Sequence, residues 1–184
     1  YDLSTNETLI KDNYVKINPT VEITPGSFEA HKITREMLNE KGINIVEAMN
    51  NFNALLYSCD LVIGHNLSFD KRMVFVECLR HQLDQKFTIF NADEKICKPE
   101  YCTMRNTTDF CNLIRLSKTN RTYLKSPSLT ELYRLLFPQE QLPTNLHNSI
   151  VDVLITLRCY MKHKHGIDIV ETNTEIKEMF SKLN

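Results

Sequence analysis

The sequence predicts an α/β domain of three layers, a mixed sheet flanked by helices, and three observations predict it. A strand with period-two alternation comes early. A short, wholly apolar run then sits between two amphipathic helical stretches. Strand-like and helix-like segments alternate from there into the last third of the chain. With 184 residues and 21.5 kDa, the chain has the size of one domain, 1–184, with a substantial core.

The elements follow in order. Residues 8–18 alternate, with Leu9, Lys11, Asn13, Val15 and Ile17 on one side and Ile10, Asp12, Tyr14 and Lys16 on the other, as in an antiparallel strand with one solvated face. Pro19–Pro25 reads as loop, and a short helix over Thr34–Lys41 stops at Gly42. Asn44 with Glu47 forms a capping box, and Ile45, Ala48, Met49, Phe52, Leu55 and Leu56 make one apolar stripe behind it. Leu61-Val62-Ile63 reads as a strand buried on both faces. A helix over Ser68–Leu83 turns Phe69, Met73, Val76, Leu79 and Leu83 inward. Strands are expected near Phe87–Phe90 and at Tyr101–Met104. Helices are expected over Thr108–Leu116, Ser128–Phe137 (with Ser128 and Glu131 as a second capping box) and Ser149–Lys162. Lys118–Lys125 is the one basic loop with an aromatic in it, either solvated or touching a phosphate backbone.

Composition excludes several classes. No apolar run approaches the roughly 20 residues of a membrane-spanning helix, and the N-terminus lacks the basic and apolar regions of a signal peptide. With 22 Lys+Arg against 23 Asp+Glu, bulk charge does not suggest a nucleic-acid partner, so such a role has to rest on a site. Cys59, Cys78, Cys97, Cys102, Cys111 and Cys159 form no CxxC pair and read as free thiols of an intracellular protein. Richness in Asn, Lys and Ile points to an AT-rich genome, viral or parasitic.

Two stretches carry polar residues that packing does not require. Gly64-His65-Asn66-Leu67-Ser68-Phe69-Asp70 follows the carboxyl end of the apolar strand, where open α/β sheets bind ligands. His147-Asn148-Ser149-Ile150-Val151-Asp152 opens the last long helix. On one continuous helix, residues five apart point roughly 140° from each other, so His147 and Asp152 converge only if His147 lies in the preceding loop. Each stretch also has a bland reading: Asp70 as a helix-start acid favoured by the macrodipole, and the His and Asn residues as satisfied loop groups. Together, Asp70 and Asp152 offer carboxylate oxygens suited to Mg²⁺ or Mn²⁺, and a nearby imidazole suits proton removal from water. This is the set that two-metal phosphodiester hydrolysis uses.

The order of these motifs resembles the DEDDh 3′→5′ exonucleases, an RNase H-like family that includes the epsilon proofreading subunit of bacterial DNA polymerase III. The resemblance rests on Ile63–Asp70, on His147 followed by Asp152, on His31-Lys32-Ile33-Thr34 with Glu36-Met37-Leu38 after it, on Thr103 and on Ser128–Tyr133. It implies two Mg²⁺ or Mn²⁺ ions, with Asp70 and Asp152 as ligands and His147 as general base. It also implies His31, Asn66 and Phe69 as holders of a 3′-terminal nucleotide of DNA or RNA, and a polymerase or replication protein as a partner. Lys32 stands where the family usually has glycine. The Asp-x-Glu pair of the family's first strand has no counterpart ahead of residues 8–18, where Asp2, Glu7 and Asp12 are wrongly spaced. The chain is therefore expected to lack the first strand, or else to be an inactive RNase H-like module that binds nucleic acid or a polymerase-type partner.

Overall fold

The computed structural model describes residues 1–91, 94–143 and 148–183. The chain forms two compact units, each built from separated stretches: unit 1 from 1–9, 63–67 and 100–184, and unit 2 from 10–62 and 68–99.

Unit 2 holds helices α1 (Pro25–His31), α2 (Arg35–Lys41), α3 (Ile45–Ser58) and α4 (Leu67–Arg80, from its second residue on). The antiparallel strands β2 (Thr88–Asn91) and β3 (Glu94–Cys97) complete it, in the register Thr88↔Cys97. The strand expected over 8–18 is not formed. A strand needs a partner along its length, and this segment finds one only at Val15, bridged in parallel to Ile43. There the Lys16 N–H donates to Ile43 O at 2.9 Å, and the Ile43 N–H to Tyr14 O at 2.8 Å. Gly42 permits the approach, since a β-carbon on it would sit 3.0 Å from the Lys16 backbone nitrogen.

Asn44 caps α3 by accepting the Val46 N–H at 2.8 Å rather than through the expected box with Glu47. At the far end Lys98 Nζ donates to the carbonyls of Tyr57 and Cys59, both at 2.7 Å, satisfying acceptors that the last turn leaves open. Met49 and Leu56 are core as predicted, whereas Phe52 and Leu55 are each 38% exposed. On α4 the expectation inverts: Phe69, Met73, Val76 and Leu79 face out, Leu79 at 80%, and Lys71, Val74, Phe75 and Cys78 turn in. Phe87 decides this orientation. It is 2% exposed and takes Phe75 edge-on at 6.0 Å and the Lys71 ammonium at 5.2 Å.

Unit 1 begins its site region with β1 (Val62–Gly64, from its second residue on), which pairs with β4 (Glu100–Cys102). β1 is half-buried rather than covered on both faces, and among the described strands it pairs with β4 alone. The described strands make three two-stranded sheets. Short helices α5 (Thr103–Asn106) and α6 (Thr108–Cys111) follow. The helix expected to reach Leu116 ends early because Asn112 adopts the left-handed conformation at φ 47°. Leu113–Leu116 (β5) then pairs with Thr122–Lys125 (β6) as an antiparallel hairpin that the sequence did not announce. Helix α7 (Leu129–Leu136) starts on the predicted Ser128/Glu131 capping box. Helices α8 (Ser149–His165), α9 (Ile169–Thr172) and α10 (Thr174–Ser181) close the chain.

The core of unit 1 gathers Leu132, Tyr133, Ile155, Cys159, Ile169 and Ile176. Arg158 is held inside it at 3% exposure, its Nε on Asp168 at 2.8 Å, its Nη1 on the Tyr133 hydroxyl at 2.7 Å and its guanidinium 4.1 Å from the Phe137 ring centre. Asp168 and Glu140 take its remaining donors at 2.5 Å. All five guanidinium N–H directions thus face acceptors or rings, which is what permits a buried charge. Among the described residues no helix is long and apolar enough to cross a membrane.

Candidate active site

The turn from β1 into α4 is built around two supports. Asn66 sits in the left-handed region at φ 67°, a conformation Asn tolerates better than most residues. The backbone N–H groups of Asn66 and Leu67 point at the Cys102 sulfur, which is 1% exposed. Burial pushes that thiol's pKa up, but these donors and the Arg105 N–H outweigh it and leave the pKa lowered. His65 provides the second support. Its Nδ1 lies 2.9 Å from Thr103 Oγ1 and its Nε2 3.2 Å from Pro127 O. A carbonyl only accepts, so Nε2 carries the proton, while the single Thr103 hydroxyl proton is shared between His65 Nδ1 and the Gly64 carbonyl, which lies 3.2 Å from Oγ1. Burial lowers the His65 pKa, opposed by the Pro127 carbonyl, so the ring is held neutral. His65 is thereby a brace, and Thr103 and Pro127, neither of which sequence reasoning chose as a support, are what it braces against. The available signals were Thr103's place in the resemblance and Pro127's position directly before the capping serine.

The predicted site residues are distributed as follows. Asp70 is the fourth residue of α4, in its first turn, and lies in unit 2. Its side chain opens to solvent, yet the protein crowding the carboxyl raises its pKa, against the hydrogen bond from its own backbone N–H. Among the described residues no lysine or arginine pairs with it. Phe69 beside it exposes 49% of its surface. His31 ends α1 in the same unit, with Nδ1 accepting the Ile33 N–H at 2.9 Å. That leaves the ring proton on Nε2, which has no acceptor among the described residues. Lys32 follows as the helix C-cap at φ 56°, which accounts for glycine being usual at this position of the resembled family. Asn66 and Asp152 belong to unit 1, Asp152 partly buried in the first turn of α8, whose N-cap Asn148 accepts the Ile150 N–H at 3.1 Å. The His147 expected as base lies outside the described residues.

The donor chemistry fits a hard divalent cation: carboxylate oxygens, with the Asp70 carboxyl crowded by protein and without a cationic partner among the described residues. Among the described residues, however, no three of His, Cys, Asp and Glu gather in a group that could hold a metal ion.

Residues 3–160 match the family model described as "Exonuclease". The chain therefore belongs to that exonuclease family, of the DEDD superfamily and RNase H-like in fold. No curated protein and no solved structure matches it. The family is one of nuclease domains, and membership implies that the chain engages nucleic acid.

Proposed function

We propose that this protein is a 3′→5′ exonuclease of the DEDDh type that releases nucleoside 5′-monophosphates. The observation that carries the reading is the exonuclease match over 3–160, which spans the Ile63–Asp70 and His147–Asp152 motifs in their expected order. Asp70 and Asp152 would supply oxygen ligands to two Mg²⁺ or Mn²⁺ ions. Such ions, when bound, polarise the scissile phosphate and lower the pKa of water. His147 takes the proton of the attacking water on an imidazole nitrogen. His31 donates from Nε2 to the terminal nucleotide, Asn66 offers its amide, and the exposed Phe69 ring stacks on a base. Residues 1–184 are in this reading one exonuclease domain whose catalysis also needs the family's Asp-x-Glu carboxylates, with a replication or polymerase-type protein as partner.

The test is a 5′-labelled oligonucleotide incubated with the protein in its full natural length and Mg²⁺ or Mn²⁺. The expected product is a ladder shortened from the 3′ end, abolished by EDTA. His147→Ala is expected to slow shortening by about 10²–10⁴-fold, and Asp152→Ala to stop it. Unchanged shortening in both variants overturns the reading. A second reading, an inactive binding module, draws on the lack of a three-ligand group among the described residues. It predicts oligonucleotide binding with no shortening under any divalent ion.

A further inference from the structure

The β5–β6 hairpin of unit 1 is basic from end to end. Arg115, Lys118, Arg121 and Lys125 interrupt it, and no acidic residue lies between Leu113 and Lys125, in a chain whose net charge is −1. The cations at its base share one carboxylate within the protein: Lys125 Nζ meets Glu131 at 2.5 Å, and Arg115 Nη2 lies 3.8 Å from the same group. Those at its tip are not, since Lys118 and Arg121 have no acidic partner among the described residues and both are exposed. The tip itself is firm. The Ser117 N–H donates to Arg121 O at 2.8 Å, the Asn120 N–H to Ser117 O at 3.0 Å, and Asn120 supplies the left-handed residue at φ 55° that a three-residue hairpin loop requires.

Register then sorts the side chains. Arg115 lies opposite Tyr123, while Ile114 lies opposite Leu124. Residues two apart share a face of a strand, so Arg121, Tyr123 and Lys125 stand with Arg115 on one side. Ile114, Leu116 and Leu124 take the other. Tyr123 is half exposed, at 50%. One face thus presents an open ring between two guanidinium groups, with an ammonium at the tip. The hairpin is also tied to the turn that carries Asn66: two residues beyond Lys125, Pro127 O receives the His65 imidazole at 3.2 Å.

We infer that this face is a binding strip for single-stranded nucleic acid, with Lys118 and Arg121 on phosphates and Tyr123 stacked on a base. A strip of cations around an aromatic is what sequence-tolerant single-strand binding needs, and a stacking ring requires an unpaired base. The inference rests on the nuclease reading for the kind of polyanion and extends it to the substrate's strand state.

The test measures fluorescence anisotropy of a labelled 20-nucleotide deoxythymidine strand, and of its uridine equivalent, on the full-length protein in EDTA, where no cleavage occurs. The double variant Lys118→Gln with Arg121→Gln is expected to bind at least about tenfold more weakly. Its slope of log affinity against log salt should be shallower by about 1.4, the share of two phosphate contacts. Tyr123→Ala should weaken binding by about 5- to 150-fold and Tyr123→Phe should restore it. All variants should keep the wild-type melting temperature, because the side chains are exposed. A blunt duplex of the same length should compete poorly. Wild-type affinity in both the double variant and Tyr123→Ala overturns the inference, as does equal competition by duplex. The nuclease reading is followed separately by hydrolysis of thymidine 5′-(4-nitrophenyl phosphate) with Mn²⁺ by the wild-type protein. Hairpin-dependent binding with neither this hydrolysis nor shortening leaves the strip standing and removes the enzyme.

Discussion

Lys32 pays a conformational penalty that its own side chain partly offsets. A non-glycine residue in the left-handed region costs about 1 kcal/mol. Its exposed ion pair with Glu29 at 2.5 Å returns little, since such pairs contribute about 0.2–1 kcal/mol. Lys32→Gly is therefore expected to stabilise the protein by about 0.5 kcal/mol, seen as a higher urea midpoint, and Lys32→Ala is expected to gain nothing. Asp70 gives the second prediction at this scale. A carboxyl whose folded pKa is raised favours folding least once it is ionised, so the loss of stability sets in as pH rises through the folded value. In EDTA at pH 7, Asp70→Asn should melt higher than wild type, and the gap should close as the pH approaches 3.8, the ordinary value for this group. Equal melting at pH 7 would mean that the site stores no such instability. These single residues also show what the sequence made legible. The motif positions Asn66, Asp70 and Asp152 sit at a strand-to-helix turn and in first helical turns, as read. The need for a left-handed backbone at Asn66 and Lys32 was not visible, because Asn and Lys signal it far less plainly than Gly.

Among elements, α8 carries the most. It bears Asp152 near its start and Arg158 two turns later, and Arg158 holds α7 through Tyr133, the loop after α7 through Glu140 and the start of α9 through Asp168. Removing one partner of a buried charge set costs about 3–5 kcal/mol, because the others remain desolvated. Arg158→Met should lose that much by urea denaturation. Arg158→Lys should recover only a part, since an ammonium lacks the fork that meets two carboxylates at once. Capping chemistry made α3 and α7 readable from sequence, with Asn44 and Ser128 at their starts. Orientation was not equally readable. On α4 apolar residues occupy both sides, so periodicity alone could not say which side meets Phe87. The hairpin was missed because Thr108–Leu116 has helical spacing until Asn112 breaks it.

At the scale of the whole molecule, acid should weaken the fold in two stages. Burial holds the imidazoles of His65 and His163 below the ordinary 6.5, so below that pH the unfolded chain binds protons more readily and stability falls. Arg158 lowers the Glu140 pKa and, against the effect of burial, that of Asp168, while Lys125 takes Glu131 down to about 2. Their contribution is intact above the ordinary carboxylate values of 3.8 to 4.5 and is lost below them. Melting temperature against pH should therefore bend near 6.5 and again below about 4.5, and His65→Gln should flatten the first bend. A profile flat from pH 7 to 5 would contradict the buried neutral imidazoles.

The chain passes from one unit to the other four times, at 9/10, 62/63, 67/68 and 99/100. Neither half is a contiguous stretch that scissors could free. A fragment starting at Glu100 would arrive without the five-residue piece that gives β4 its neighbour, and without Asn6, which holds the Thr172 carbonyl and the Asn173 amide. Deletion mapping, the customary way to assign an activity to one region, should thus yield insoluble material from either side, and point substitutions become the instrument of choice.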